Sequence, residues 1–146
     1  MFRLHYQQLV RASALYDLIV TAGFVTPWTF RIVHAALGAL SPLPSFEPVH
    51  VLIANLLGSI VVVWSVLRLV RTDPVYGLFD SFARALFLTW QLYYLLAMQG
   101  APVVWAFAVF EAAFGVTQAY GYWLLRKSES QAPTKCRIAL ALRAAA

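Results

Sequence analysis

Four predominantly apolar runs, at 9–26, 49–70, 78–98 and 102–125, constrain this chain more than any other feature of its sequence. Each matches the roughly 20 residues that an α-helix needs to cross the hydrocarbon core of a bilayer. Helix breakers close them. The first run stops before Pro27, Asp73-Pro74 and Gly77 interrupt the chain between the second and third, and Gln99-Gly100-Ala101-Pro102 turns tightly before the fourth. Pro102 suits the first position of a helix, where the N–H it lacks would find no partner anyway. The pattern predicts an all-α fold, an integral membrane four-helix bundle. Residues 1–127 form its transmembrane domain and 128–146 a cytoplasmic tail.

Two stretches fall outside the spans. Residues 28–40 (WTFRIVHAALGAL) have helical spacing with Arg31 and His34 on one side. They read as a short interfacial helix between spans one and two, or as a continuation of the first span beyond a proline kink. Residues 41–48 hold three prolines and read as an extended connector. The polar residues 128–134 predict a mobile start to the tail, and the last ten (RIALALRAAA) a weak surface helix. No internal repeat is present.

Composition agrees with the spans. Of 146 residues 62% are hydrophobic and 12% charged, and mean hydropathy is +0.72. A water-soluble domain carries about 25% charged residues to wet its surface. The formal charge of +5 reads as basic cytoplasmic loops rather than a nucleic-acid surface, because no aromatic-basic cluster accompanies it. No nucleic-acid partner is expected. The lone Cys136 allows neither an internal disulfide nor a Cys-x-x-Cys motif, which removes thiol–disulfide redox chemistry. The first apolar run carries Asp17 and has no clean small-residue cleavage site, so it does not read as a signal peptide.

Nine of the eleven basic residues fall on one side of the four spans: Arg3, Arg11, Arg68, Arg71, Arg126, Lys127, Lys135, Arg137 and Arg143. Arg31 lies on the other side and Arg84 within a helix. The positive-inside rule then places both termini in the cytoplasm, with a bacterial inner membrane as the expected location. Trp28 and Trp105 near the outer face, and Tyr76 and Trp123 near the inner face, suit interfacial anchors.

Charged residues within a span cost about 2.5 to 3.5 kcal/mol each on insertion scales, so each needs a reason. Asp80 and Arg84 are four residues apart on one helical face, which continues through Phe87, Gln91 and Tyr94. They suit an ion pair that neutralises Arg84, or an Arg oriented to bind an anionic head group. Glu111 falls close to mid-bilayer, with Gly115, Gln118 and Tyr122 on its face. At that depth it requires protonation or a partner such as Arg84 or Gln91. Asp17, between Ser13 and Thr21, is the natural second carboxyl of a cavity. Asn55 sits beside Gly58 and Ser59, small residues that permit close packing. The ligand-binding set is therefore Asp17, Asn55, Asp80, Arg84, Gln91, Glu111 and Gln118, lining a pocket within the bundle. His34 and His50 share one connector rather than facing helices, so neither haem nor a metal is expected, and no cofactor. No base is placed beside a hydroxyl for nucleophilic catalysis, and whether the chain is an enzyme stays open.

The buried carboxyls and the Glu-x6-Gln stretch EAAFGVTQAYGYW, residues 111–123, resemble the DoxX-like and EXPERA-type small four-helix membrane proteins. The GVTQAYGYWLL run is similar to the Gln-x-Tyr-Gly stretch of the sterol-isomerase branch, about a dozen residues in all. That branch pairs His with Glu on early helices, whereas the second run holds His50 and Asn55 without such a Glu. What the resemblance implies is a pocket for a hydrophobic ligand, lined by Glu111 and Gln118.

Three functions fit these residues. The first is binding of a lipid or hydrophobic small molecule, with membrane lipids as partners. The second is an accessory or assembly subunit of a larger membrane complex, its polar residues joining helices. The third is a small proton-coupled transporter, working as a homo-oligomer because four helices barely enclose a path.

Overall fold

Prolines set where three of the helices begin. In a computed structural model that describes residues 2–131, Pro27, Pro48 and Pro74 open helices at positions whose N–H groups would have no partner. The elements are α1 (Phe2–Thr21), a 3-10 turn (Ala22–Phe24), α2 (Pro27–Leu40), α3 (Pro48–Val70), α4 (Pro74–Leu96) and α5 (Val104–Gln131). The fold is all-α, with no strand among the described residues. Each proline start carries a cap. Thr26 Oγ1 accepts the Thr29 N–H at 3.2 Å, the Asp73 carboxylate accepts the Val75 N–H at 3.0 Å, and Glu47 and His50 form a capping box.

Several boundaries differ from the apolar runs. The first helix starts at Phe2 rather than near residue 9, because helix continues wherever the backbone is paired, whether or not the side chains are apolar. Residues 28–40 lie in a helix of their own, bent 103° from the first. Gly77 does not break the chain. It lies in the first turn of α4, where a Cβ would run into the Tyr6 ring and Val10. Pro102 precedes α5 instead of opening it, in a turn where its carbonyl accepts the Trp105 N–H at 3.0 Å. At the other end α5 runs through Gln131, so residues 128–131 are helical rather than a mobile tail. The remainder of that tail, Cys136 and the RIALALRAAA stretch lie outside the described residues.

The connector from α4 to α5 closes as a C-cap. Gln99 takes a positive φ of 51°, and the Gly100 N–H reaches the Tyr94 carbonyl at 2.8 Å.

Packing is centred on α1. It lies along α3 and also touches α5 and α4, while α4 and α5 form the most extensive pair. At one end of the bundle Tyr6, Val10 and Leu125 make a small apolar core with Leu9 and Tyr122 against it. Gly77 on α4 and Gly121 on α5 give the Tyr6 ring its space. α3 and α4 meet sparsely, chiefly through Trp64, which stacks edge-on against Tyr76. Among the described residues nine buried positions are polar or charged, seven are hydrophobic and three are Gly58, Pro74 and Gly77, while large apolar side chains crowd the exposed faces. Among the described residues one single helix, α3, is long and apolar enough to cross a membrane, with a mean hydropathy of 2.1 and 11% of its apolar window buried. The bent pair Arg3–Phe24 and Pro27–Leu40 passes the same criterion when joined.

Candidate functional site

Above the Tyr6 layer the centre of the bundle is charged. α1 contributes Ser13 and Asp17, α3 contributes Arg68, α4 contributes Asp80 and Arg84, and α5 contributes Glu111. The i,i+4 spacing on α4 brings Arg84 Nε to the Asp80 carboxylate at 2.9 Å. Its two terminal nitrogens diverge. Nη1 reaches Glu111 at 2.9 Å, and Nη2 donates to Ser13 Oγ at 2.8 Å and to the Asp17 carboxylate at 2.6 Å. One guanidinium thus ties α1, α4 and α5 together, using the planar fork that a lysine lacks.

Arg68 is the second hub and is fully buried. It pairs with Asp17 and with Asp80 at 2.6 Å, and it contacts Ser13 and Ser65. Asp80 is consequently shared by both arginines and also accepts bonds from Ser13 at 3.0 Å and the Trp64 indole N–H at 3.0 Å. The Trp64 ring also lies against the Arg68 guanidinium, 5.6 Å from centroid to Cζ. Burying isolated charges is prohibitive, and it becomes tolerable only when each is paired and its remaining hydrogen-bonding positions are filled. That condition is largely met, the exception being Arg68 Nε, which has no partner.

A cavity of about 440 Å³ opens directly beside the cluster. Its charged side is Asp17, Asp80, Arg84 and Glu111, Thr21 and Gln91 are polar, and the rest is apolar or aromatic, including Tyr16, Val20, Ile60, Trp64, Phe79, Phe87 and Phe107. All four long helices contribute, which is how helix bundles build sites. Ile60 on α3 and Phe79 and Phe87 on α4 are exposed as well as lining it, so the cavity reaches the surface along the sparsely packed α3–α4 seam.

Five of the seven residues expected at a pocket are at this one: Asp17, Asp80, Arg84, Gln91 and Glu111. Gln91 lines it with an Oε1 that has no partner. Gln118 does not line it. That side chain is fully buried elsewhere in the bundle, with both amide atoms unpaired, because its height on α5 sets it below the cavity floor. Asn55 is also elsewhere. Its amide donates to the Phe24 carbonyl at 2.7 Å, where Gly58 lets the 3-10 turn approach α3 closely, and it borders a separate cleft with His34 and Arg31.

Arg68, counted in the sequence among the basic residues on the side of the termini, is instead central to the site. The signal was its face: Trp64, Ser65 and Arg68 fall on one side of the second half of α3, whose other residues there are aliphatic. Among the described residues no group of three His, Cys, Asp or Glu side chains is arranged to hold a metal ion. No protein-family model, no curated protein and no solved structure matches this chain.

Proposed function

We propose that the chain is an integral membrane protein that takes a lipid chain or hydrophobic small molecule into the cavity beside its buried charges. One observation carries the reading: polarity is inverted, with arginines and carboxylates inside and large aliphatic and aromatic side chains outside. Water would reward the opposite arrangement. In lipid, backbone groups must be satisfied within helices and charges must face the bundle interior. α1, α4 and α5 fall short on hydropathy because their charges count against them, yet Asp17, Asp80, Arg84 and Glu111 all turn inward to the cluster. The four long helices then each span the bilayer, and α2, set across α1 with Trp28 and Ile32 exposed, lies in the interface.

The α3–α4 seam supports lateral entry, because its exposed rim is apolar. The positive-inside orientation survives the relocation of Arg68: eight of the eleven basic residues, nine less one, still fall on the side of the termini. A bacterial inner membrane with cytoplasmic termini remains the expected setting.

The test is native mass spectrometry of the full chain extracted with its own lipids, beside an Ala83→Trp variant that fills the cavity. A bound molecule on the wild type that the variant loses supports the reading. A bare chain in both, or equal retention by both, overturns it. The second reading, an accessory subunit, is favoured by the near-complete pairing of the cluster, and recovery of a stoichiometric partner protein would select it.

A further inference from the structure

Arg31 breaks the distribution of basic residues. Eight of the eleven fall on the side of the termini and two, Arg68 and Arg84, are buried in the cluster, whereas Arg31 sits on α2 at the opposite end of the four spans. That end is normally poor in arginine, so a charge kept there needs a reason. Among the described residues Arg31 has neither a salt bridge nor a hydrogen bond. The acid on its side, Glu47, is spent on the first turn of α3, where it and His50 close the capping box.

Arg31 lines a cleft of about 500 Å³ between α2 and α3. The cleft shares no lining residue with the charged cavity. Its wall is firmly made. His34 Nε2 meets the Pro44 carbonyl at 3.1 Å, and because a carbonyl only accepts, the ring donates there and ties the connector to α2. The same ring stacks on Phe30 at 5.9 Å, and Phe46 stands edge-on to both. His34 is thus engaged, and the Arg31 guanidinium keeps its donors. Deeper along α3, Asn55 gives one amide hydrogen to the Phe24 carbonyl and has a second unused among the described residues.

Below the arginine the surface becomes apolar. Leu52 belongs to the cleft wall and continues along α3 into Leu56 and Ile60, an i±4n ridge whose members are each more than half exposed. Eight residues of helix make this bed about 12 Å long. Trp28 and Ile32, exposed on either side of Arg31, hold α2 at the depth of the head groups. A free anion would use the arginine and gain nothing from the ridge. An anion carried on an acyl chain uses both.

Resting on the membrane reading above, we infer that the cleft between α2 and α3 binds the phosphate group of an outer-leaflet phospholipid. The Arg31 fork takes two phosphate oxygens, the geometry that suits a guanidinium to phosphate. The Asn55 amide is a second donor, and an acyl chain lies along Leu52, Leu56 and Ile60.

Native mass spectrometry of the full chain in neutral detergent, titrated with phosphatidylglycerol and with diacylglycerol of the same chains, tests the inference. Phosphatidylglycerol is expected to bind about tenfold more tightly, as charge-assisted hydrogen bonds would give. Arg31→Gln lowers that affinity about tenfold and leaves diacylglycerol within about twofold. Arg126→Gln, at the other end of the bundle, leaves both lipids within about twofold, which separates the cleft from general attraction between a basic chain and an anionic lipid. Arg31 is exposed, so its replacement is expected to leave thermal stability unchanged. If the two lipids bind alike, or Arg31→Gln binds as the wild type does, the inference falls. If Ala83→Trp loses phosphatidylglycerol and Arg31→Gln does not, the lipid occupies the cavity: the inference falls and the pocket reading stands. Retention by Ala83→Trp with loss by Arg31→Gln supports the cleft whatever the cavity holds. Displacement of the lipid by millimolar inorganic phosphate would assign the cleft to a free anion and overturn the lipid as its occupant.

Discussion

Arg84 donates to four side chains on three helices, and Asp80 receives both arginines, an indole and a hydroxyl. Removing one member of such a network strands the others. Asp80→Asn is expected to destabilise the protein by about 3 to 5 kcal/mol, read as a loss of thermal stability in detergent. Replacing Asp80 and Arg84 together by Leu and Met removes a pair and costs less than the sum of the single changes; additive losses would show that the two act independently. Asp17, Asp80, Arg84 and Glu111 were legible in the sequence because a charge within an apolar run demands a partner. Arg68 was not, because two residues from the end of α3 and one turn from Arg71 it passes for an ordinary basic helix end. Gln118 and Asn55 were legible as interior polar groups, but helical periodicity gives the face of a residue and not the neighbours found at its height.

At the scale of elements, Pro27, Pro48 and Pro74 read as breaks yet open α2, α3 and α4, Pro102 reads as a helix start yet precedes α5, and polarity misplaced the ends of α1 and α5. Ser128 and Ser130 turn their hydroxyls back onto the Leu125 and Lys127 carbonyls, each at 2.8 Å, so polar residues continue α5 instead of ending it. Glycine roles were likewise hidden until the helices were packed. Gly77→Val is expected to drive α4 from Tyr6 and cost about 1 to 3 kcal/mol, since small-to-large changes at a tight contact force a shift. Gly38→Ala on α2, where a Cβ would have nothing within 4 Å, should instead gain up to about 1 kcal/mol from helix propensity. Thermal unfolding of the two variants beside the wild type checks the contrast, and equal effects would contradict the packing of α1 on α4.

For the molecule as a whole, the membrane reading fixes which regions share a compartment. In a Cys136→Ser background, a cysteine at Ala36 on α2 is expected to react with an impermeant maleimide from outside intact cells, and one at Ser130 only after the cells are opened. Reaction of both from the same side would overturn the four-span arrangement. The distribution of charge among the helices also has a consequence for biogenesis, since a ribosome delivers these helices in order. Of the cluster residues α1 enters first with Asp17 alone, an acid without a buried base. α3 brings Arg68 and cancels it. α4 arrives already neutral, Asp80 and Arg84 having found each other along one turn. Among the described helices only α5 then adds an acid with no base of its own in the cluster, and a chain stalled before Glu111 would leave Arg84 Nη1 without its partner and α4 without its most extensive packing.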